Sequence, residues 1–302
     1  TDITATPEQD VPELDESGAQ AIETAEPVEE SSFADFGVRQ DIVDALAAHG
    51  ITSPFPIQAM TLPIALSGQD IIGQAKTGTG KTLGFGIPAL QRAVGRDDEG
   101  WAQLKKPGAP QALIVVPTRE LAVQVGSDLS IAAKTRNARV ATIYGGRPYE
   151  SQIAELEKGV EVVVGTPGRL IDLNRQHFLD LSHVRMVVLD EADEMLDLGF
   201  LPDVEKLLST VPAVRQTMLF SATMPGPVVA MARRYMTRPM HIRAAAPDEG
   251  TTKKDIRQVI YRAHHLDKDE VVARILQAEG RGRSIIFTRT KRAAAKLADE
   301  LI

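Results

Sequence analysis

No cysteine occurs anywhere in the 302 residues. Disulfides, thiol nucleophiles and Cys-ligated zinc are therefore excluded together, and the composition fits a reducing compartment. No uninterrupted apolar run approaches the ~20 residues that a membrane-spanning helix needs, and the first residues lack the basic-then-apolar form of a secretion signal. The chain is accordingly expected in the cytoplasm, with no membrane partner. A polybasic stretch is missing too. Ten of the 41 Asp/Glu fall in residues 1–30, which hold none of the 34 Lys/Arg, so the rest of the chain carries 31 acids against 34 bases. A body this close to neutral can bind nucleic acid only through the local placement of a few groups.

What is present suits about two ordinary domains, with hydrophobic residues at 43% and charged residues at 25%. Residues 1–30, rich in Glu, Ala, Pro and Thr, offer too little apolar surface to offset the entropy of ordering, and read as a disordered acidic tail. Order is expected from Phe33, through a helix over Arg39–His49 closed by Gly50, then two prolines, Pro54 and Pro56, and a second helix starting at Ile57. Beyond them, apolar runs of four to seven residues alternate with helical stretches. The strands are expected at Asp70–Gly73, Ala112–Val116, Val140–Tyr144, Val160–Gly165, Val184–Asp190 and Gln216–Ser221. Helices are expected at Glu120–Lys134, Tyr149–Lys158, Arg169–Gln176, Asp203–Thr210 and Pro227–Tyr235. This alternation predicts an α/β fold, a parallel sheet covered by helices on both faces.

Ala75-Lys76-Thr77-Gly78-Thr79-Gly80-Lys81-Thr82 stands between the first apolar strand and a helix, which is the setting of a phosphate-binding loop. Gly78 and Gly80 let successive N–H groups turn inward, and the following helix adds free donors and the positive end of its dipole. Lys81 would reach the outer phosphates, and the Thr82 hydroxyl would help hold a Mg²⁺ that bridges them. Ala75 replaces the first glycine of the general pattern.

Met186–Asp193 is a second signal. An apolar strand ending in carboxylates delivers Asp190 and Glu191 to the carboxyl edge of the sheet, where the phosphate loop also lies. Asp190 can bind Mg²⁺ or one of its waters; Glu191 can orient and deprotonate an attacking water. Three more loops are expected on that edge: Pro117–Ala122 with Arg119, Gly145-Gly146-Arg147, and Thr166–Arg169. Each combines small residues, helix-start N–H groups and an arginine, which can grip a sugar-phosphate backbone without reading bases.

These segments together resemble the DEAD-box RNA helicases. Asp190-Glu191-Ala192-Asp193, Ala75–Thr82, Pro117–Ala122, Thr166–Arg169, Ser221-Ala222-Thr223 and Pro56-Ile57-Gln58 occur in the family's order and approximate spacing, from about Phe33 to Thr290. Bacterial members are the most similar. The resemblance implies ATP as nucleotide, with Gln58 on the adenine edge, Phe33 stacked on its ring and Thr77–Thr82 around the phosphates. It implies that Ser221 and Thr223 link Asp193 to movement between domains, and that Arg119, Gly146, Thr166 and Arg169 hold RNA. Phe55 stands where a small residue is common, and Glu194 where a basic residue often follows the acidic quartet.

Ala244–Lys254 reads as a linker, which sets the expected boundaries at 1–30 for the tail, 31–243 for an ATP-binding domain, 244–255 for the linker and 256–302 for the start of a second domain. Strands at Gln258–Arg262 and Ser284–Thr288 and helices at Lys268–Ala278 and Lys291–Leu301 are expected there. The resemblance implies that a second domain supplies arginines within His-Arg-x-Gly-Arg-x-Gly-Arg, a motif absent from the 302 residues. The expectation is a piece of a longer helicase that turns ATP over slowly by itself. A P-loop ATPase acting on DNA and a nucleotide- and RNA-binding scaffold without turnover stay open as alternatives.

Overall fold

The computed structural model describes residues 31–243, 259–264, 267–280 and 282–301. The expected tail (1–30), linker (244–255) and Gln258 lie outside the described residues. The chain separates into two compact units, Thr1–Glu249 and Gly250–Ile302.

The first unit opens with a 3-10 turn at Phe33–Phe36 and helix α1 (Gln40–Ala47), then α2 (Pro56–Ser67). Strand and helix then alternate through β1 (Ile71–Gln74), α3 (Lys81–Arg92), β2 (Ala112–Val115), α4 (Arg119–Ala132), β3 (Val140–Ile143), α5 (Tyr149–Glu157), β4 (Val162–Gly165) and α6 (Pro167–Arg175). Next come β5 (Met186–Leu189), α7 (Ala192–Asp197), α8 (Leu201–Thr210), β6 (Gln216–Ser221), α9 (Gly226–Tyr235) and β7 (Met240–Arg243). Every pairing is parallel, and the order across the sheet is β3-β4-β2-β5-β6-β1-β7. The α/β fold read from the alternation is thus the fold observed, and the expected strands and helices recur with ends moved by a few residues.

Alternation along each strand sends neighbouring residues to opposite faces. Ala112, Ile114, Val162, Val164, Val188 and Phe220 join one core with α1–α4, whereas Leu113, Val115, Val163, Val187, Leu189 and Leu219 join another with α5–α9. Both faces are therefore covered, which is why β2, β4 and β5 carry apolar residues or glycine at every position rather than at alternate ones. Pro63 and Pro88 lie inside α2 and α3. These two helices pack on each other and on the core, so burial outweighs the usual penalty of an interior proline.

One observed strand was not expected, and two expected strands do not form among the described residues. β7, a four-residue strand at the sheet edge, was not anticipated: only Ile242 is fully buried in it, so it lacks the apolar run of the central strands. In the second unit, α10 (Lys268–Leu276) and α11 (Lys291–Glu300) form, but residues 259–262 and 284–288 are not strands. Ile260, Ile285 and Phe287 are 95%, 82% and 92% exposed. An extended segment becomes a strand only by pairing with a neighbour, and none pairs with these among the described residues.

Candidate functional site

All seven strands are parallel, so their carboxyl ends share one edge. Read along the sheet, that edge carries the loops after β3, β4 and β2, then Asp190-Glu191 after β5, Ser221–Thr223 after β6, and the phosphate loop after β1. The chain leaves β1 and returns as β2 beyond β6 and β5, and such a crossover opens a crevice at the strand ends.

A cavity of ≈ 270 Å³ occupies the crevice. Its polar end is formed by Thr77, Gly78, Gly80, Lys81, Thr82, Asp190 and Glu191, and its other walls include Ile51, Phe55, Gln58, Leu83, Leu121, Gln124, Asp128 and Ile131. Gly78 and Gly80 have φ of +84° and +79°, the left-handed conformation that side chains disfavour. Thr79 Oγ1 closes the loop by donating to the Lys76 carbonyl at 2.8 Å. Lys81 and Thr82 are the first residues of α3, where backbone N–H groups have no partner inside the helix.

Lys81 is 5% exposed. Its Nζ donates to Glu191 Oε1 at 2.9 Å and to the Ala75 carbonyl at 3.2 Å, and stands 3.8 Å from Asp190 Oδ1. Thr77 Oγ1 donates to the same Glu191 oxygen at 3.0 Å. Burial pushes the Asp190 carboxyl up to about 7; the Lys81 ammonium opposes the rise and the Glu191 charge adds to it. Glu191 itself has φ +53° and ψ +54°, an unusual conformation for a non-glycine residue, where β5 turns into α7.

Two carboxylates against one ammonium leave room for a further positive charge. Asp190 and the Thr82 hydroxyl line the same cavity, a donor set suited to Mg²⁺ that arrives with phosphates and keeps some of its water. No group of three or more His, Cys, Asp or Glu able to form an all-protein metal cage occurs among the described residues.

Gln58 is buried, its Oε1 accepting from the Phe55 N–H at 3.0 Å and its Nε2 donating to the Gly80 carbonyl at 2.6 Å. One amide hydrogen and one oxygen lone pair remain. An adenine edge offers the matching acceptor and donor side by side. Phe33 is different. It is 1% exposed, packs with the core formed by Val38, Ile42, Leu46 and Ile57, and does not line the cavity, so the structure does not bring it to a nucleotide. The reason is local: the 3-10 turn at Phe33–Phe36 points this ring under α1 and α2, where burial of a phenyl group is most favourable.

Asp193 spans the ends of β5 and β6. Its backbone N–H donates to Ser221 Oγ at 3.1 Å, and its Oδ2 accepts from the Thr223 N–H and hydroxyl, both at 2.8 Å. Although burial acts to raise the Asp193 carboxyl, the Thr223 and Ser221 hydrogen bonds outweigh it and hold the group below its ordinary value.

The three loops after β2, β3 and β4 are tied to one another. Gly146 has φ +86°, and a Cβ there would lie 3.9 Å from Arg119 Nη1. Arg169 donates to the Arg147 carbonyl at 2.9 Å and lies over the Tyr149 ring, 3.8 Å from its centre. Thr166 immediately precedes α6 and makes no side-chain capping bond; its N–H donates to the Ile143 carbonyl at the end of β3 at 3.0 Å. The sequence reading overlooked Tyr149, which fixes Arg169, and Gln152, which is fully buried and bonds the Tyr144 N–H and the Arg147 and Pro148 carbonyls. It also overlooked the cavity walls from α4, Gln124 and Asp128. A helical polar residue carries no sequence mark of the cavity it faces.

Comparison with known proteins agrees with this geometry. The DEAD/DEAH box helicase family matches residues 55–232. The chain is 43% identical over 271 residues to the DEAD-box ATP-dependent RNA helicase CshA of Geobacillus kaustophilus, covering 90% of this chain and 56% of that one. It is 41% identical over 272 residues to the CshA of Bacillus subtilis, covering 89% and 52%. The chain thus spans about half the length of these relatives. Among solved structures, a DEAD box protein from the hyperthermophile Methanococcus jannaschii superimposes with a TM-score of 0.64 at 33% identity, covering 89% of this chain and 69% of that one. An ATP-dependent RNA helicase described as hypothetical, from Sulfolobus tokodaii, gives 0.60 at 34% identity, covering 68% and 57%.

Proposed function

Because the chain belongs to the DEAD/DEAH box helicase family, we propose that it forms the nucleotide-binding half of an ATP-dependent RNA helicase acting in the cytoplasm. The observation that carries this reading is the buried cluster of Lys81, Asp190 and Glu191 beneath a glycine loop at a helix N-terminus. No described helix is long and apolar enough to cross a membrane. We assign residues 31–243 to this half, 244–255 to a linker and 256–302 to the start of a second domain.

In the mechanism, the loop N–H groups and the start of α3 receive the phosphates, and Lys81 exchanges its Glu191 partner for the outer phosphate. Thr82 and Asp190 would hold a Mg²⁺ that arrives with the nucleotide, and the ion would supply neutralisation of phosphate charge. The exchange frees the Glu191 carboxylate to take the proton of an attacking water. Gln58 presents its remaining donor and acceptor to the adenine edge, which favours ATP over GTP because a mismatched base leaves buried polar groups unpaired. Arg119, Gly146, Thr166 and Arg169 offer a backbone-directed track for single-stranded RNA, and Ser221 and Thr223, which bond Asp193 across the adjacent ends of β5 and β6, link it to movement between domains.

ATPase assays with RNA, with DNA and without nucleic acid, run on a longer form of the protein, test the reading. RNA-stimulated hydrolysis that is lost in Glu191→Gln while ATP binding persists is the expected result. Equal stimulation by DNA would favour a DNA-directed ATPase, and nucleotide binding without turnover under any condition would favour a scaffold.

A further inference from the structure

Phe55 is 60% exposed and lines the cavity beside the phosphate loop. Among the described residues it is the one aromatic side chain that lines the cavity; Phe33 is buried in the core. An exposed ring of this size beside a polar site is a contact awaiting a partner rather than a packing element.

Its position is well determined. Pro54 precedes it and Pro56 follows it, and a residue before proline is held in extended backbone; Phe55 has φ −68° and ψ +158°. Its N–H is fixed by Gln58 Oε1 at 3.0 Å. The Cδ2–Cε2 edge of the ring lies against the last glycine of the phosphate loop: a Cβ on Gly80 would come 2.4 Å from Phe55 Cδ2 and 3.1 Å from both Cε2 and Gln58 Nε2. Gly80 therefore accommodates the ring as well as the turn. The result is a flat apolar face beside the Gln58 amide, which still has one donor and one acceptor to offer.

A purine ring needs such a pair of surfaces, an edge that hydrogen-bonds and a face that stacks. We propose that Phe55 is the stacking wall of the nucleotide site, packing its ring on the base of ATP and so setting affinity for nucleosides over bare phosphates. This rests on the ATP-binding reading above. Stacking of a base on an aromatic side chain corresponds to a ~5- to 150-fold effect on affinity.

The test is calorimetric titration of the 302-residue chain with ATP·Mg²⁺ and, separately, with inorganic tripolyphosphate·Mg²⁺, using the parent, Phe55→Ala and Phe55→Tyr. The expected result is that Phe55→Ala weakens ATP ~5- to 150-fold, leaves tripolyphosphate within twofold of the parent (about the resolution of such a comparison), and is rescued by Phe55→Tyr. Retained tripolyphosphate binding also reports an intact loop. An equal loss for both ligands would mean that the ring only props Gly80, and no loss for either would mean that it touches no ligand; both outcomes overturn the proposal while leaving ATP binding in place. Absence of ATP binding in the parent would overturn the proposal together with the functional reading beneath it.

Discussion

Lys81 stands where a phosphate would be gripped, yet its ammonium already serves two buried carboxylates. Lys81→Ala removes both interactions. A charge-assisted hydrogen bond is worth about 1.5–3 kcal/mol, so ATP affinity should fall by roughly tenfold to a hundredfold in calorimetry. Unchanged binding would remove the phosphate-loop assignment. Glu161 is a different kind of buried acid. It is fully buried, its Oε2 accepts from the Arg139 N–H at 2.5 Å, and its Oε1 has no hydrogen-bond partner among the described residues. Burial raises its carboxyl above the ordinary 4.5, against the lowering effects of that hydrogen bond and of Arg96 and Arg139. A carboxyl raised in the folded state takes up a proton on folding between its unfolded and folded values, so stability declines as pH rises through that window. Glu161→Gln cannot titrate. Urea unfolding at a series of pH values should show the variant gaining on the parent as pH rises from about 4.5, and a constant difference would contradict the shift. Lys81, Asp190 and Glu191 were legible from sequence because their spacing and their place at strand ends define a chemistry. The orientation of Phe33 was not, since nothing in its spacing tells which side of a short turn it takes.

At the scale of elements, the central strands were legible because a strand buried on both faces is a continuous apolar run bounded by breakers. The edge strand β7 and the unpaired runs at 259–262 and 284–288 were misread for the complementary reason: whether an apolar or mixed run becomes a strand depends on a neighbour to pair with, which local sequence does not contain. Close packing between elements is equally invisible. Gly73 in β1 lies against Phe220 of β6, where a Cβ would fall 2.4 Å from two ring carbons. The Phe220 ring is fully buried and tilted against Phe85 of α3, with ring centres 5.2 Å apart, so it has little space to retreat. Gly73→Ala should therefore destabilise the first unit by about 1–3 kcal/mol, the usual range for overpacking. Because β1 leads into the phosphate loop, nucleotide affinity should fall as well. A variant with parental urea midpoint would show that the ring yields freely.

The order of strands across the sheet is the part of the molecule least written in its sequence. Chain order alone does not say that the loops after β3, β4 and β2 adjoin, or that β6 lies between the phosphate loop and Asp190-Glu191. That arrangement nevertheless decides what the first unit can do by itself. Among the described side chains that line the cavity, Lys81 is the sole cation, and its charge is already balanced by Glu191. Phosphoryl transfer spreads negative charge over the outer phosphate, and an arginine arriving from outside is worth roughly 10³–10⁵ in rate in related systems. The 302-residue chain should thus bind ATP·Mg²⁺ and turn it over near background, at least ~10³-fold more slowly than a longer relative such as the Bacillus subtilis helicase under the same conditions. Its RNA affinity should also be weaker and carry a shallower salt dependence, since each phosphate contact contributes to the slope. Single-turnover hydrolysis and RNA binding measured across a salt series check both statements. Turnover comparable to the longer relative would mean that a cation within these residues reaches the outer phosphate, and mutating the arginines of 259–301 one at a time would identify it.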